Sequence, residues 1–461
     1  MLTHLSTKLK EQIEQATSGK VPYNYKAELI VTNPNTGFEY TALWVEDVII
    51  IRDYVNNYMD IMQVTVEVTH QDLRNILVNM QDLEATLILT PKDEDTGAIL
   101  YDYDPITFEM MVYMDSQVDL DKIINNSAFN DPDTEKPLTP EQAQFTIQHT
   151  FSLISEKMHD VRQIGINAIL KDVTMQDVLN WVCKQFEFDK VEIIDPKNTM
   201  TYEFIVIPPL QYIGTIFTYL QERYGVYDKG IGYYFQDDTM YIYPLFDTDT
   251  ATSPVTGVMQ LLNIPGEQFG GMKSYYTKID DDILVAAAGK SSVKPLNSRG
   301  AENVGTSYVS TNTDQVLDQF VKIGNDGKVQ RTEDSITTVQ LGNTAGNISS
   351  KMQNIKYGGQ STNVYAATSE LASYNGTLLT TYWWHCDPNI LKPGHSVTYQ
   401  FDSAKGEYKI QNGRLLRAVY ASRVITSDTI APDLVFNCAM EVFLDPDQNG
   451  DEIVQFQDNY D

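Results

Sequence analysis

Apolar residues at alternate positions dominate the C-terminal part of the chain. A Pro-Gly turn at residues 391–397 opens the pattern, which continues through residues 407–417 and ends over residues 435–444. An alternation of period two is typical of a strand with one buried face. We therefore expect antiparallel strands in this region, which indicates a scaffold rather than a catalytic centre.

The N-terminal region shows the same alternation. Strands are predicted over residues 25–32, 38–51, 62–69, 85–89 and 106–114. The sequence Asn-Pro-Asn-Thr-Gly at residues 33–37 favours a tight turn, because proline fixes one torsion and glycine accepts a positive φ. Short amphipathic helices are predicted over residues 5–16 and 70–80. One helix against about six strands predicts a small antiparallel β-barrel over residues 20–124.

A different pattern begins after residue 170. Thr174 and Asp177 stand three positions apart before an apolar helical face, which is the pattern of a capping box. A second helix is predicted over residues 210–224, after Pro208-Pro209, and a hairpin is predicted around residues 236–239. These elements predict an inserted α/β module over residues 171–255.

Residues 286–359 are polar and dense in Gly, Ser, Asn and Thr. Such a segment buries too little apolar area to order itself, so we expect an extended excursion that a partner subunit must order. The full predicted excursion covers residues 256–376 and includes a strand at 270–280 and a helix at 363–374. An acidic tail over residues 446–461 ends the chain.

Length and charge narrow the classes of function. The 461 residues predict three or four domains, and the formal net charge is −30. The chain contains no long run of Lys or Arg, so tight nucleic-acid binding is not expected. A negative surface would still suit a channel through which DNA slides without sticking. The 28 tyrosines favour half-buried strands and subunit contacts.

The cysteines and the N-terminus indicate no secretory route. Cys183, Cys386 and Cys438 fit neither paired disulfides nor a Cys-x-x-Cys metal site, which favours a reducing compartment. The polar N-terminus does not resemble a signal peptide, and no run of about 18 apolar residues occurs. We expect a soluble protein without membrane insertion.

No metal or calcium site is predicted. Residues 445–450 imitate the start of a calcium loop, but Phe456 stands where the bidentate carboxylate is needed. Glu156 and His159 have a ligand spacing without a second such pair. The acidic clusters at residues 101–105 and 280–282 are interpreted as surface loops.

No catalytic or cofactor-binding residue is predicted either. In the cluster Trp383-Trp384-His385-Cys386, neighbours on a strand point to opposite faces, so a Cys/His nucleophile pair is not expected. The glycines of residues 357–360 lack the lysine and spacing of a phosphate-binding loop. Paired carboxylates for glycoside hydrolysis stay open, because 63 acidic residues guarantee coincidental pairs.

Three passages together resemble the trimeric hub proteins of contractile phage tail baseplates and the related spike bases of type VI secretion. The first runs from Thr174 through Pro208-Pro209 and Tyr224-Gly225 to Tyr243, the second from Leu391 to Phe443, and the third is the N-terminal barrel with its helix at 70–80. Hub proteins carry similar passages.

The resemblance implies an α+β, β-rich fold with two tail-tube-like antiparallel β-barrels. In it, the second barrel is discontinuous and joins residues 144–170 to residues 377–445. The implied protein is a non-enzymatic virion protein, assembled in the host cytoplasm, whose homotrimer connects the tail tube protein to the central spike and to baseplate wedge proteins. It uses no cofactor, and DNA passes through its lumen during ejection.

Two rival functions stay open. A receptor- or carbohydrate-binding tail protein is favoured by the aromatic residues 382–384, whose side chains must then be accessible to solvent. A peptidoglycan hydrolase fused to a hub requires a compact catalytic domain, for which residues 286–359 are too polar.

Overall fold

The computed structural model describes residues 5–18, 24–113 apart from 43, 80, 94 and 95, 146–264, 275–295, 376–402, 406–424 and 433–445. It also describes four short strands between residues 309 and 338 and the helical positions 365, 369, 372 and 373.

Strands outnumber helices throughout the described chain. The helices are α1 (Thr7–Thr17), α2 (His70–Val78), α3 (Glu156–Val161), α4 (Met175–Gln185) and α5 (Ile213–Arg223). The strands of the N-terminal part are β1 (Asn24–Asn33), β2 (Phe38–Thr41), β3 (Trp44–Asp53), β4 (Ile61–Thr69), β5 (Glu84–Lys92), β6 (Ile106–Val112) and β7 (Thr146–Ser155). They are followed by β8 (Ile166–Thr174), β9 (Lys190–Ile193), β10 (Thr201–Gln211), β11 (Ile231–Gln236), β12 (Thr239–Pro244), β13 (Val258–Asn263), β14 (Tyr276–Ile279) and β15 (Asp282–Pro295). The last strands are β16 (Val309–Thr311), β17 (Lys322–Ile323), β18 (Val329–Gln330), β19 (Ile336–Thr338), β20 (Thr377–Trp383), β21 (Ser396–Asp402), β22 (Tyr408–Val424) and β23 (Asp433–Leu444).

Eight strands of the largest sheet pair in a cycle. The pairing runs β22-β3-β4-β7-β6-β5-β1-β23 and returns to β22. Each of these pairs is antiparallel. We call this cycle the N-terminal strand ring.

Six strands pair in a second cycle that shares β22 and β23 with the first. Its order is β13-β21-β22-β23-β20-β15, and β15 pairs with β13. We call it the C-terminal strand ring. The expectation of purely antiparallel strands is wrong here, because β13 runs parallel to both β15 and β21. The chain passes through residues 264–281 between β13 and β15 and through a longer stretch between β13 and β21, and parallel pairing requires long connections of that kind.

The partners of several strands differ from the sequence-based expectation. The segment at 144–155 was expected to join residues 377–445, whereas β7 pairs along its whole length with β4 and at three positions with β6. Strands β13 and β15, expected within the polar excursion, belong to the C-terminal strand ring. Alternation predicts a strand but not its partner, because every half-buried strand presents the same period. The predicted domain boundaries stay a prediction.

Helices α2 and α1 pack against the N-terminal and the C-terminal strand ring, respectively. Helix α2 follows β4 directly, and its Leu73, Ile76 and Leu77 enter the main core. Helix α1 packs against the C-terminal strand ring, where Leu9 and Ile13 join a cluster with residues of β13 and β15. The main core itself is one continuous cluster that contains side chains of both strand rings.

The predicted α/β module is present as a separate core. Helices α4 and α5 pack with the ribbon β8–β10 and the three-stranded sheet β9-β12-β11. The capping box is confirmed: the Thr174 backbone N–H donates to Asp177 at 2.9 Å, and its hydroxyl accepts from the Asp177 N–H. The hydrogen bonds that the Thr174 hydroxyl, at 2.6 Å, and the Thr174 backbone N–H donate to the carboxylate lower the pKa of Asp177. The hairpin around residues 236–239 is also confirmed.

Two predicted elements of the module are corrected. The second helix begins at Ile213 rather than at residue 210, and Pro208-Pro209 lie in the end of β10. Residues before a proline avoid the α region, and the ladder is interrupted between Ile207 and Gln211, so no prolyl N–H is needed there. Residues 161–170, which lead into the module, form the end of α3 and the start of β8 rather than one continuous strand.

The polar excursion contributes two short strand pairs, β16–β19 and β17–β18. The helix predicted at 363–374, the tail at 446–461 and the glycines of residues 357–360 lie wholly or largely outside the described residues. Within the described part, no helix is long and apolar enough to span a membrane.

Candidate functional site: the junction of the α/β module with the strand rings

Three segments meet where the module joins the strand rings: the β3–β4 loop (54–60), the β11–β12 hairpin and the β20–β21 loop (384–395). The Phe235 N–H donates to the Tyr58 carbonyl at 2.9 Å. The Gln236 amide donates to the Leu391 carbonyl at 2.9 Å, and Lys392 pairs with Asp237. The hairpin is therefore bonded to both loops.

Arg52 lies at the centre of this junction. The side chain is fully buried on β3, and its Nε donates to Asp60 Oδ2 at 3.0 Å while Nη1 donates to the Pro388 carbonyl at 2.8 Å. The hydroxyl of Tyr234 donates to the other Asp60 oxygen at 3.0 Å. Burial acts to lower the pKa of Arg52, but Asp60 raises it well above the usual value, so the guanidinium stays charged.

A second buried arginine, Arg414 on β22, binds the other side of the junction. Its guanidinium donates to the carbonyls of Asp247, Gly394 and Asp249 at 2.6, 2.6 and 2.9 Å, and to the hydroxyls of Ser396 and Thr252. Burial lowers its pKa to about 10, which leaves it charged at neutral pH. The five oxygens satisfy its donors, so Arg414 ties residues 247–252 of the module's end to the C-terminal strand ring.

The predicted Pro-Gly turn is present at this junction. Gly394 has φ +69°, and a Cβ there would lie 2.8 Å from both Tyr243 and Pro254, so a side chain would collide. Next to it, His395 is buried, and neither ring nitrogen has a hydrogen-bond partner among the described residues. Burial lowers the pKa of His395 to about 4.

Apolar contacts complete the junction. Tyr243 and Leu245 of the module pack with Leu416 and Phe443 of the shared hairpin β22–β23. The combination of two satisfied arginines and this apolar cluster makes a rigid connection. The junction fixes the position of the module, because the titratable side chains of Arg52, Asp60 and Tyr234 at its centre are hydrogen-bonded to one another.

The cluster at residues 383–386 does not form a thiol site. Trp383 and Cys386 are fully buried, and burial raises the pKa of the Cys386 thiol well above its usual value. Cys386 contacts the Phe436 carbonyl through its sulfur at 3.4 Å. A neutral, buried thiol is not a nucleophile.

The candidate metal ligands are not brought together. Glu156 and His159 lie on the six-residue helix α3, and Asp282 accepts hydrogen bonds from the Val258 N–H and the Gln260 amide. Among the described residues, no group of three His, Cys, Asp or Glu side chains could hold a metal ion. Of residues 445–450, only Asp445 is described.

Sequence reasoning missed both buried arginines. Arg52 continues the buried phase of β3 after Val48 and Ile50, and a charge in an apolar phase is a signal that could have found it. Arg414 follows Gly413, where the alternation of β22 is interrupted by consecutive buried residues, so its sequence pattern carries no comparable signal.

Strands β4, β7 and β6 form a continuous stretch of sheet without a single Lys or Arg. Between the buried positions of β4 stand Gln63, Thr65 and Glu67, and Thr65 shares a hydrogen bond of 2.9 Å with Thr150 of β7. This face is polar, and its charges are negative.

A protein-family model described as "Bacteriophage PBS1 gene 109 protein" matches residues 13–269. No curated protein matches the sequence significantly.

Solved structures with a similar chain path include a tail protein from Neisseria meningitidis MC58, at 10% identity and a TM-score of 0.46. The match covers 91% of this chain and 97% of that one. The 43 kDa tail protein of prophage MuSo2 from Shewanella oneidensis is 12% identical with a TM-score of 0.45, over 90% and 98% of the two chains. The E. coli c3393 protein, a component of the type VI secretion system, is 8% identical with a TM-score of 0.35, over 87% and 74%.

Proposed function

Because this chain belongs to the bacteriophage PBS1 gene 109 protein family, we propose that it is the homotrimeric baseplate hub of a phage tail. The family confirms the resemblance to a phage tail protein that the sequence indicates. Among the functions of a phage tail protein, that of the hub is the one that the geometry supports best.

The observation that carries the proposal is the pair of strand rings that share β22 and β23. We interpret each strand ring, with its packed helix, as one tube-like barrel. Three copies then present six barrels around an axis, which matches a sixfold tube on one side and a threefold spike on the other. Sharing a hairpin and one core fixes the two barrels relative to each other.

In this arrangement the tail tube protein binds one end of the trimer and the central spike binds the other. Wedge proteins contact the periphery, where the α/β module is joined through Arg52 and Arg414. The location is the baseplate of the virion. The work of the protein is geometric, so we propose no enzymatic activity, and purified protein should not solubilise cell wall.

We further propose that the cation-free face of β4, β7 and β6 lines the channel for DNA. A surface without Lys or Arg releases no counterions from phosphate and therefore does not retain DNA. Replacing Thr65 and Thr150 by lysine should create retention of DNA on the assembled hub, measured by gel shift. No retention by that variant would contradict the placement of this face in the channel.

Size-exclusion chromatography with light scattering tests the hub. At micromolar concentration the expected mass is three times the 52.2 kDa of one chain. A monomer that forms no ring when tail tube protein is added would contradict the proposal.

A carbohydrate-binding tail protein is the second candidate, and one observation favours it. Tyr382 and Trp384 are 43% and 37% exposed, whereas Trp383 between them is buried. Exposed aromatic faces are suited to stacking on sugars. Calorimetric titration with host cell-wall glycan tests this function; binding that is lost in a Tyr382→Ala, Trp384→Ala double variant would support it.

A further inference from the structure

The β8–β10 ribbon of the module displays an unusual amount of apolar surface. Met200, Phe204, Val206, Leu210 and Ile169 are each between 46% and 71% exposed. Val206 and Ile169 are directly opposite one another, so the strip crosses both strands. At about 200 Å² for a fully exposed large side chain, the strip amounts to roughly 600 Å². A patch of that size lies at the upper end of what a monomeric soluble protein exposes, and such patches are often functional.

One long edge of the ribbon is covered and the other is not. The Val206 N–H donates to the Tyr224 hydroxyl at 2.8 Å, and the Val206 carbonyl accepts from the Tyr219 hydroxyl at 2.8 Å. These backbone groups of β10 therefore point away from β8. Two opposite residues of an antiparallel pair direct their N–H and carbonyl groups either both toward each other or both away from each other. Because those of Val206 point away from β8, those of Ile169 point away from β10. Within the described chain, β8 pairs with β10 alone, which leaves this edge available for one more strand.

Leu210 is held in a conformation that leucine rarely adopts. Its φ is +61°, in the left-handed region, and its side chain is among the most exposed of the strip. The left-handed region is strained for a residue with a Cβ, because the Cβ lies too close to the following carbonyl oxygen. Glycine would relieve that strain, so the leucine is present for its side chain rather than for the fold.

We propose that the β8–β10 ribbon is a docking site for an extended segment of a different protein of the tail, which adds as a strand to β8. The segment has apolar side chains at alternate positions, which contact the strip, and it carries no net negative charge. Backbone hydrogen bonds to β8 supply the pairing and the strip supplies the selectivity.

The occupant follows from symmetry and charge, and this step rests on the proposed homotrimer. Two copies that met through the same ribbon would form a twofold contact, which a threefold ring does not accommodate. Each copy also carries a formal net charge of −30, and β8 itself contributes a single exposed cation, Lys171. A neutral or basic segment is therefore the complementary partner. The roughly 600 Å² of the strip approaches the ~800 Å² that one side of a specific complex buries.

Strand addition can be tested with a fluorescein-labelled peptide of the length of β8, in which valine alternates with threonine between two terminal lysines. Saturable anisotropy change is expected with the intact protein and none with a peptide whose alternate amides are N-methylated. Ile169→Pro removes the outward N–H together with one exposed side chain of the strip, and Leu210→Gly removes another exposed side chain; each should weaken binding about tenfold or more. The thermal midpoint of Leu210→Gly should equal or exceed that of the parent. Val78→Thr, at an equally exposed position on α2, is the matched control and should bind normally.

Equal binding of the N-methylated peptide, or undiminished binding by Ile169→Pro and Leu210→Gly, would overturn the docking site, as would no binding by the intact protein. Light scattering on the same samples separates this result from the hub proposal. A trimer that binds no peptide refutes the docking site alone, and a monomer that binds it through the ribbon refutes the hub alone. If the ribbon variants reduce the mass of the assembly, the ribbon is a contact between copies and the inference fails.

Discussion

The two strand rings share a hairpin and a core, yet they are assembled from the sequence in different ways. In the N-terminal strand ring, six of eight strands lie within residues 24–155, every pair is antiparallel, and α2 connects β4 to β5 within the same segment. The C-terminal strand ring combines strands from residues 258–295 and 377–444 and includes two parallel pairs. Its helix, α1, comes from the other end of the chain.

This difference shows that a strand ring can be built from neighbouring or from distant segments of the chain. Helix α2 is placed on its strand ring by a local connection, whereas α1 is placed by contacts with residues about 250 positions away in sequence. Both helices bury an apolar face. The shared hairpin β22–β23 makes the two arrangements dependent on each other. We expect the strand rings to unfold together when the junction is damaged and separately when only one helix is weakened.

The largest effect is expected for Arg52→Met, which leaves Asp60 buried without its partner. Loss of one partner of a buried ion pair costs about 3–5 kcal/mol. Hydrogen exchange of β13, β20 and β21 in urea should show this loss in the C-terminal strand ring, although Arg52 lies on β3 of the N-terminal one. The exposed Arg74→Met on α2 is the control and should change stability by less than about 0.5 kcal/mol. A normal C-terminal transition in Arg52→Met would contradict the coupling.

Ile13→Ala and Ile76→Ala compare the two helices directly, since both side chains are buried. Each should cost about 2–5 kcal/mol, because the removed atoms leave a cavity. Hydrogen exchange should increase in β13 and β15 for Ile13→Ala and in β4 and β5 for Ile76→Ala. The exposed neighbours Glu14→Ala and Asn75→Ala serve as controls. Identical exchange patterns in the two variants would show that the strand rings are not separable.

The junction should weaken in mild acid through His395. Its pKa is about 4 in the folded protein and about 6.5 when unfolded, so the unfolded state binds the extra proton between these values. The stabilisation is complete above pH 6.5 and decreases as the pH falls toward 4, by about 2 kcal/mol at pH 5. Arg414, Lys392 and Asp282 are the charged groups that influence this histidine.

His395→Leu removes that titration while the carboxylates of the chain remain. Unfolding free energies measured from pH 7 to pH 5 should therefore decrease less in His395→Leu than in the parent. Equal pH dependence in the two proteins would mean that His395 is protonated without cost in the folded state.

The smallest effect distinguishes the two helix caps. Thr69→Ala should cost about 1 kcal/mol, since its hydroxyl accepts from the Asp72 N–H. Each hydroxyl also donates to a carboxylate at 2.6 Å, that of Thr69 to Asp72 of its own helix and that of Ser6 to Asp402 of β21. Ser6→Ala should cost more, because it also removes a bond that holds α1 on the C-terminal strand ring. Thermal unfolding of both variants measures the difference, and a larger loss for Thr69→Ala would contradict it.

The sequence predicts elements of this protein better than their partners. The turn at residues 33–37, helix α2 and the capping box at Thr174 follow from local chemistry, and the structure contains each of them. The pairing of β7 with β4 and the return of α1 to β13 and β15 depend on contacts between distant residues, on which alternation is silent. Leu210 was missed because only the backbone reveals a left-handed φ.

The sequence predicts one part of the junction, but it does not predict what that part binds. The Pro-Gly turn at residues 391–397 is predicted, and Gly394 occupies it with the expected positive φ. The turn accepts hydrogen bonds from Arg52, Gln236 and Arg414. The sequence does not predict these bonds, because the three donors lie on separate strands and two of them are more than a hundred residues from the turn.

An averaged electron-microscopy image of the purified assembly, viewed along its axis, tests the central claim most directly. Two strand rings in each of three copies predict six similar lobes around an open channel, with alternate lobes related by a threefold axis. A particle of one copy, or an assembly whose lobes number other than six, would contradict the account.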